Sequence, residues 1–264
     1  MLLTIQIVNY NSRENLRACL RSIREHVFDQ ENLQIVVINN DKDKLEKFPE
    51  EFGVELIEKN ENVGFGKAHN LALDRARGKY ILLLNPDTKI FPETVEKMLE
   101  VFSSNERTGI VGPIHVGKEN ISGEDHYGAE RTPLSTIREK ISRRKEKAET
   151  ENIFETDWVS GGAMMIRKDL FSELGGFDEN YFMYFEDVDL CLQAKKKEWK
   201  IIVHPGAKIF HKSGQSFSDN RVKKKYYYQS QDHYIRKNFG SLWAELVKIL
   251  RFPFYVRNVY CRKR

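Results

Sequence analysis

Asp87 follows the apolar run Tyr80-Ile81-Leu82-Leu83-Leu84 with only Asn85 and Pro86 between. A carboxylate in that place projects from the carboxyl edge of a buried strand. Pro86 holds Asn85 extended, so the side chains of Asn85 and Asp87 diverge. A hard cation such as Mg²⁺ or Mn²⁺ takes oxygen ligands and can bridge a carboxylate to a diphosphate. A turn capped by Asp is the plainer alternative. A second acidic group, Glu186-Asp187-Val188-Asp189, follows the aromatic stretch Tyr181-Phe182-Met183-Tyr184-Phe185. Three carboxylates at a helix start are favoured by the helix dipole alone. The aromatic lead-in adds another effect, because apolar surroundings and a neighbouring acid both raise a carboxyl pKa towards the range of a general base.

Two loops complete the set. His204-Pro205-Gly206 and then His211-Lys212-Ser213-Gly214-Gln215-Ser216 lie beyond a short apolar stretch. An imidazole there can complete a metal shell begun by Asp87, and the Ser, Lys and Gly positions suit phosphate oxygens. A surface or packing histidine is the alternative. Asn60-Glu61-Asn62-Val63-Gly64-Phe65-Gly66-Lys67-Ala68-His69-Asn70 is a glycine-containing loop opening a helix, where backbone can approach a nucleotide and the helix start attracts anions. Its glycines lack the GxGxxG spacing of dinucleotide sites, and a tight turn explains it equally.

The elements that must carry these groups are legible in the hydrophobic pattern. Residues 4–8, 33–38 (LQIVVI), 54–57 and 80–84 are apolar strands. Ser12 is placed to cap a helix bearing Leu16, Leu20, Ile23 and Val27, and Ala68, Leu71, Ala72 and Ala76 mark another. Pro92 is expected to open a helix whose inner face is Val95, Met98, Leu99 and Phe102. Strands alternating with helices imply a parallel sheet covered on both faces, with ligands beyond the carboxyl ends of the strands. After residues 110–114 the pattern fails: 115–156 is polar, and REKISRRKEK within it reads as a solvated helix or loop. Order returns at 158–166, with a short helix after Arg167 ending at Gly175-Gly176, a helix from Asp187 towards Glu198, and a strand at 200–203.

At 264 residues with 40% hydrophobic content the chain can bury a full core as one α/β unit. Cys19, Cys191 and Cys261 match no zinc or redox spacing and read as reduced thiols of a cytosolic protein. The start, MLLTIQIVNYNS, has no signal-peptide character, and no apolar run approaches the ~18 residues of a membrane span. The net charge of +4 resides in the tail. Lys248, Arg251, Arg257, Arg262, Lys263 and Arg264 stand there without an acid among them, and without them the charge becomes −2. Mixed with Trp243, Leu246, Ile249, Leu250, Phe252 and Phe254, these bases suit an anionic membrane surface or a helix packed on the body with solvated charges. Nothing supports a nucleic-acid partner.

The four signals occur in an order that resembles family 2 glycosyltransferases, with rhamnosyltransferase-like members most similar. The resemblance rests on Ile7-Val8-Asn9-Tyr10-Asn11, Val37-Ile38-Asn39-Asn40, ENVGFGKAHN, LLLNPDT, the stretch from WVSGGAMMIRKDL through YFEDVDLCLQ, and HPGAKIFHKSGQS. It implies the GT-A nucleotide-diphosphosugar transferase fold, mostly parallel in its central sheet with flanking helices. It implies one domain over 1–239, divided into a nucleotide-binding half (1–114) and an acceptor-side half (115–239), and a basic amphipathic tail over 240–264. By the same resemblance Asn9, Tyr10, Asn11 and Asn39 line the base and ribose pocket, and Asn62, Gly64, Gly66 and Asn70 border the nucleotide. Asn85 and Asp87 occupy the metal motif with His211 beside it, for Mg²⁺ or Mn²⁺. Asp187 is the catalytic base with Glu186 adjacent, and Gly161 and Gly162 keep the acceptor side open. The implied activity is inverting transfer of a sugar, rhamnose from dTDP-rhamnose among the candidates, to a glycan or lipid-linked hydroxyl in cell-surface polysaccharide synthesis. The setting is cytoplasmic, at the inner face of the membrane. A nucleotidyltransferase and a non-catalytic sugar-binding module are the alternatives. Asn39 and Asn85 stand where relatives commonly carry aspartate, which leaves the base undetermined and Asp87 as the one full charge of the metal motif. The whole reading requires Asp87 and Asp187 to meet across one cleft.

Overall fold

The computed structural model describes residues 1–27, 29–117, 126–141, 151–212 and 219–260. The amino half runs β1 (Leu3–Asn9), α1 (Arg13–His26), β2 (Leu33–Asn39), α2 (Phe48–Phe52), β3 (Glu55–Glu58), α3 (Phe65–Leu73), β4 (Tyr80–Leu84), β5 (Thr88–Ile90), α4 (Thr94–Ser104) and β6 (Thr108–Val116). Then follow β7 (Tyr127–Gly128), α5 (Pro133–Ile141), β8 (Phe154–Glu155), β9 (Trp158–Val159), β10 (Ala163–Arg167), α6 (Lys168–Glu173), α7 (Glu186–Lys196), β11 (Lys200–His211), α8 (Asn220–Phe239) and α9 (Ser241–Val259).

The main sheet has the order β3-β2-β1-β4-β10-β6-β11-β5, with β8 paired to β11. Every residue of β1, β2 and β4 is buried, which is why these strands appear as unbroken apolar runs. Leu16, Leu20 and Ile23 of α1, Phe48 of α2, and Val95, Met98 and Phe102 of α4 pack on one face. Ala68 and Ala72 of α3 pack on the other, beside a second core formed by Leu170, Phe171, Leu190, Tyr234 and Val247 of α6 to α9.

The expected parallel arrangement holds for β3, β2, β1 and β4. The other half of the sheet is mixed. β10 runs antiparallel to both β4 and β6, because it begins opposite Leu84 and descends from the carboxyl edge that β4 has just reached. The strand expected at 200–203 continues to His211. Four steps of it, from His204 to Lys208, span a single step of β6, and this bulge carries the chain on to pair with Thr88 of β5.

Several boundaries differ from expectation for local reasons. Ser12 is the N-cap of α1, but its hydroxyl receives the Asn15 side-chain N–H at 3.0 Å and caps no backbone group. Pro92 lies in the turn before α4, which begins at Thr94 after Glu93 takes φ 62°. Ala76 lies past the end of α3 yet is buried. The stretch 158–166 is two strands separated by Gly161-Gly162, and the polar region 115–156 contains α5 and short strands. Of REKISRRKEK, Arg138 to Ile141 belong to α5, and the rest lies outside the described residues, as do Ser213 to Ser216 and Cys261.

The tail reading resolves into a helix packed on the body by one side. In α9, Ala244, Val247 and Arg251 are buried. Arg251 bonds Asp232 at 2.5 Å and Gln231 at 2.9 Å on α8 and lies over the Tyr228 ring. The opposite side, Leu242, Leu246, Ile249 and Leu250, is exposed, with Phe252 exposed at its flank.

One buried group makes the fold acid-sensitive. His69 of α3 is fully buried, with Nδ1 at 3.2 Å from Gln6 Oε1 and no partner for Nε2 among the described residues. Burial lowers its pKa from 6.5 to about 3. The unfolded chain therefore binds more protons between those values, and stability falls as pH drops from 6.5, by up to about 1.4 kcal/mol per pH unit. Thermal melts of His69→Gln between pH 6.5 and 5 are expected to show a shallower decline than the parent.

Candidate active site

Three strand ends meet at the carboxyl edge of the sheet. Past β4, the Asn85 amide donates to Gly162 O at 2.9 Å, and Thr88 Oγ1 donates to Asn85 O at 2.7 Å, which fixes the Asn85-Pro86-Asp87 turn. His211 arrives because β11 pairs residue by residue with β5, His211 opposite Thr88. Its Nε2 lies 3.3 Å from Asp87 Oδ1 and 3.4 Å from Asn85 Nδ2. Two ligands of one cation, each ~2.1 Å from it at right angles, stand about 3 Å apart, so Asp87 and His211 fit neighbouring positions on a single ion. Among the described residues no third acidic, histidine or cysteine side chain joins them as a metal group.

Behind His211 stands His115 at the end of β6, with Nδ1 at 3.1 Å from His211 Nδ1. Its ring stacks on His126 at 4.7 Å and 7°. Burial, and after it the neighbouring His126 and His211, push the His115 pKa well below 6.5. Sequence reasoning did not single out this histidine. The signal was present, since His115 ends an apolar strand at the sheet's carboxyl edge as Asp87 does after β4.

Glu186 and Asp187 stand at the start of α7. Asp187 Oδ2 accepts from Gly161 N–H at 2.9 Å, and Oδ1 from Val188 N–H at 2.8 Å. Gly161 and Gly162 thus form the seam of the site. A Cβ on Gly161 would meet the Phe65 ring at 3.0 Å and Asp187 Cβ at 3.5 Å, while one on Gly162 would meet His211 at 3.2 Å and Asn85 at 3.3 Å. Asp187 and the Asn85, Asp87 and His211 cluster therefore flank one dipeptide.

Glu186 is buried, and its Oε2 has no hydrogen-bond partner among the described residues. Burial, and then the charge of Asp187, hold its carboxyl well above the usual range. Burial also raises Asp187, but its two backbone donors and the positive charge of Arg131 oppose that shift. Asp187 is accordingly the acid of this pair that ionises first. Tyr184 and Phe185, ahead of α7, both take positive φ, 70° and 67°, a strained conformation for aromatic residues and one that clusters at functional sites. Asp189 has a different environment. It is buried, bonded to Lys237 at 2.7 Å and Asn238 at 2.8 Å, and ties α7 to α8.

The residues expected along the nucleotide are largely engaged with the protein. Asn9 Nδ2 donates to Asn39 Oδ1 at 2.8 Å, and Asn39 Nδ2 donates to Asp43 O and Glu58 Oε2, both asparagines being buried. Asn11 takes φ 48° and its N–H bonds Asp41. Tyr10 is half-buried between them. Asn62 Oδ1 accepts from Asn40 Nδ2 and Gly64 N–H. Asn70 brackets Phe177, accepting its N–H at 2.8 Å and donating to its carbonyl at 2.9 Å. A Cβ on Gly66 would lie 2.8 Å from Phe177 Cβ. These positions brace the loop against 177–185, and Asp41 and Glu58, which the sequence reading did not single out, join Asn40 in the same hydrogen-bond network. His204 lies in the bulge of β11, bonded to Gly206 N–H.

Residues 4–175 match the family model described as glycosyl transferase family 2. The chain is 28% identical to an N-acetylglucosaminyl-diphospho-decaprenol L-rhamnosyltransferase of Mycobacterium tuberculosis, over 62% of this chain and 60% of that one. It is also 28% identical to the dTDP-rhamnosyl transferase RfbF of Shigella flexneri, over 79% of this chain and 68% of that one. The chain spans about three fifths of the length of the first curated relatives it matches. Among solved structures, GalNAc-T7 with UDP, GalNAc and Mn²⁺ superposes with a TM-score of 0.68 at 16% identity, covering 98% of this chain and 56% of that one.

Gly64 tests how tightly the loop is braced. It has φ 94°, and a Cβ there would stand 2.5 Å from Phe182 O, whereas Gly175, φ 76°, has open space around it. Gly175→Ala is expected to cost about 1 kcal/mol of conformational strain in thermal melts. Gly64→Ala is expected to cost more, because the 177–185 loop must move.

Proposed function

The chain belongs to glycosyl transferase family 2, and from that premise we propose that it moves a sugar from a nucleoside-diphosphate donor to an acceptor hydroxyl with inversion. The observation that carries this reading is the shared Gly161-Gly162 seam. It joins an ionisable, backbone-held Asp187 to a cation-competent Asp87 and His211 within one site. Its fold is of the GT-A kind.

Asp87 and His211 would hold a divalent cation, which when bound offsets negative charge on the departing diphosphate. Asp187 takes the proton from the acceptor hydroxyl as its oxygen forms the new bond to the anomeric carbon. The sugar–phosphate bond breaks on the opposite side, and the electron pair leaves with the nucleoside diphosphate. The backbone donors Gly161 N–H and Val188 N–H aim the carboxylate, while the raised pKa of Asp187 makes it a stronger base than an exposed aspartate. Glu186, held neutral by burial, leaves the single negative charge of the pair on Asp187.

The similarity to two rhamnosyltransferases supports dTDP-rhamnose as donor and a glycan or lipid-linked hydroxyl as acceptor, in cell-surface polysaccharide synthesis on the cytoplasmic side of a membrane. A panel of nucleotide sugars with Mg²⁺ or Mn²⁺ is expected to yield nucleoside diphosphate. Pyrophosphate instead would indicate a nucleotidyltransferase, and binding without release a non-catalytic module. In the productive pair, Asp187→Asn is expected to lower turnover on the order of 10²- to 10⁴-fold with donor affinity kept. Glu186→Gln, which mimics the neutral acid, is expected to stay within about tenfold of the parent. Near-normal turnover by Asp187→Asn would refute the base.

Contact with the membrane surface belongs to the same reading. No helix among the described residues is long and apolar enough to cross a membrane. The outward stripe of α9, Leu242, Leu246, Ile249 and Leu250, suits one lying on it, with Lys248 and Arg257 nearby and Glu245 paired to Arg236. The protein is expected to co-sediment with phosphatidylglycerol vesicles and not with phosphatidylcholine. The double substitution Leu246→Asp, Ile249→Asp is expected to abolish this without lowering the melting temperature, and unchanged sedimentation removes the membrane contact.

A further inference from the structure

Resting on that reading of Asp87 and His211, we infer that His115 is a positioning residue that sets which ring nitrogen of His211 faces the cation. The two imidazoles meet Nδ1 to Nδ1 at 3.1 Å. A neutral imidazole carries one N–H and one lone pair, so one Nδ1 donates and the other accepts. If His115 donated, His211 would keep its proton on Nε2, pointing at Asp87 and Asn85 and closed to a metal. With His115 as acceptor, His211 is protonated on Nδ1, and its Nε2 lone pair stands 3.3 Å from Asp87 Oδ1, free to ligate beside it. The outer partner of a ligating histidine commonly fixes its tautomer in this way.

The surroundings hold the pair in register. His115 is 6% exposed, and its other face is covered by the parallel His126 ring. On the open side, Gly162 leaves just enough room. A side chain there would begin 3.2 Å from His211 Cε1 and 3.4 Å from His115 Cε1, so both rings occupy the space that any other residue would take. His115, buried behind His211, acts only through it.

The test uses the full chain and Mn²⁺ titrated by electron paramagnetic resonance, with and without dTDP. His115→Phe keeps a flat ring but has no acceptor, and it is expected to weaken Mn²⁺ binding by about tenfold or more. His115→Asn, whose Oδ1 replaces Nδ1, is expected to restore binding to within about threefold. dTDP affinity without metal and the melting temperature should match the parent in both. Independently of any substitution, long-range ¹⁵N spectra of the Mg²⁺-loaded parent are expected to show His211 protonated at Nδ1. Parent-like Mn²⁺ binding by His115→Phe, equal loss in His115→Asn, or a proton on Nε2 of His211 would each overturn the inference. Absence of any Mn²⁺ binding that Asp87→Asn removes would instead overturn the metal reading itself, and this inference with it.

Discussion

Two hydrogen bonds donated by the main chain hold the site together: Asn85 N–H to Gly162 O, and Gly161 N–H to the side-chain carboxylate of Asp187. The first joins the end of β4 to the turn before β10, and the second joins that turn to the start of α7. Because both use the backbone of adjacent glycines, the Asn85, Asp87 and His211 cluster and the acid are anchored to one dipeptide. The antiparallel entry of β10 follows from the same constraint, since a strand starting at Gly162 beside Leu84 can only run back along β4.

The three carboxylates of Glu186-Asp187-Val188-Asp189 show how one helix start assigns different chemistry to like groups. Asp189 turns into the core and is neutralised by Lys237, so its charge is spent on docking α8. Glu186 is buried without such a partner, and an uncompensated buried carboxyl takes up a proton. Asp187 lies between these extremes, kept ionisable by two N–H donors in a desolvated place. Strain at Tyr184 and Phe185 is the conformational cost of turning the chain into α7 at this point.

The asparagines at and beyond the ends of β1, β2 and β3 are held differently. They form a chain of amide hydrogen bonds, Asn9 to Asn39 to Glu58 and Asn40 to Asn62, that makes the loops after β1, β2 and β3 rigid with respect to one another. Gly64 and Gly66 let the α3 loop close onto Phe182 and Phe177, so that loop packs directly on the 177–185 segment.

What the sequence determined by itself was local. The apolar runs announced β1, β2 and β4, since strands buried on both faces leave no polar alternation, and the placement of Asp87 and of Glu186-Asp187 at element ends exposed them as candidate chemistry. The order of motifs carried the family. Tertiary structure alone decided the remainder, because it depends on pairings between distant segments. These include the antiparallel β10, the bulge that carries β11 to Thr88, His115 behind His211 across 96 positions, and Asp189 directed to Lys237 while Asp187 stayed at the seam. A side chain's role as acid, ligand or brace is set by which partners desolvate and bond it, and those partners have no fixed spacing along the chain.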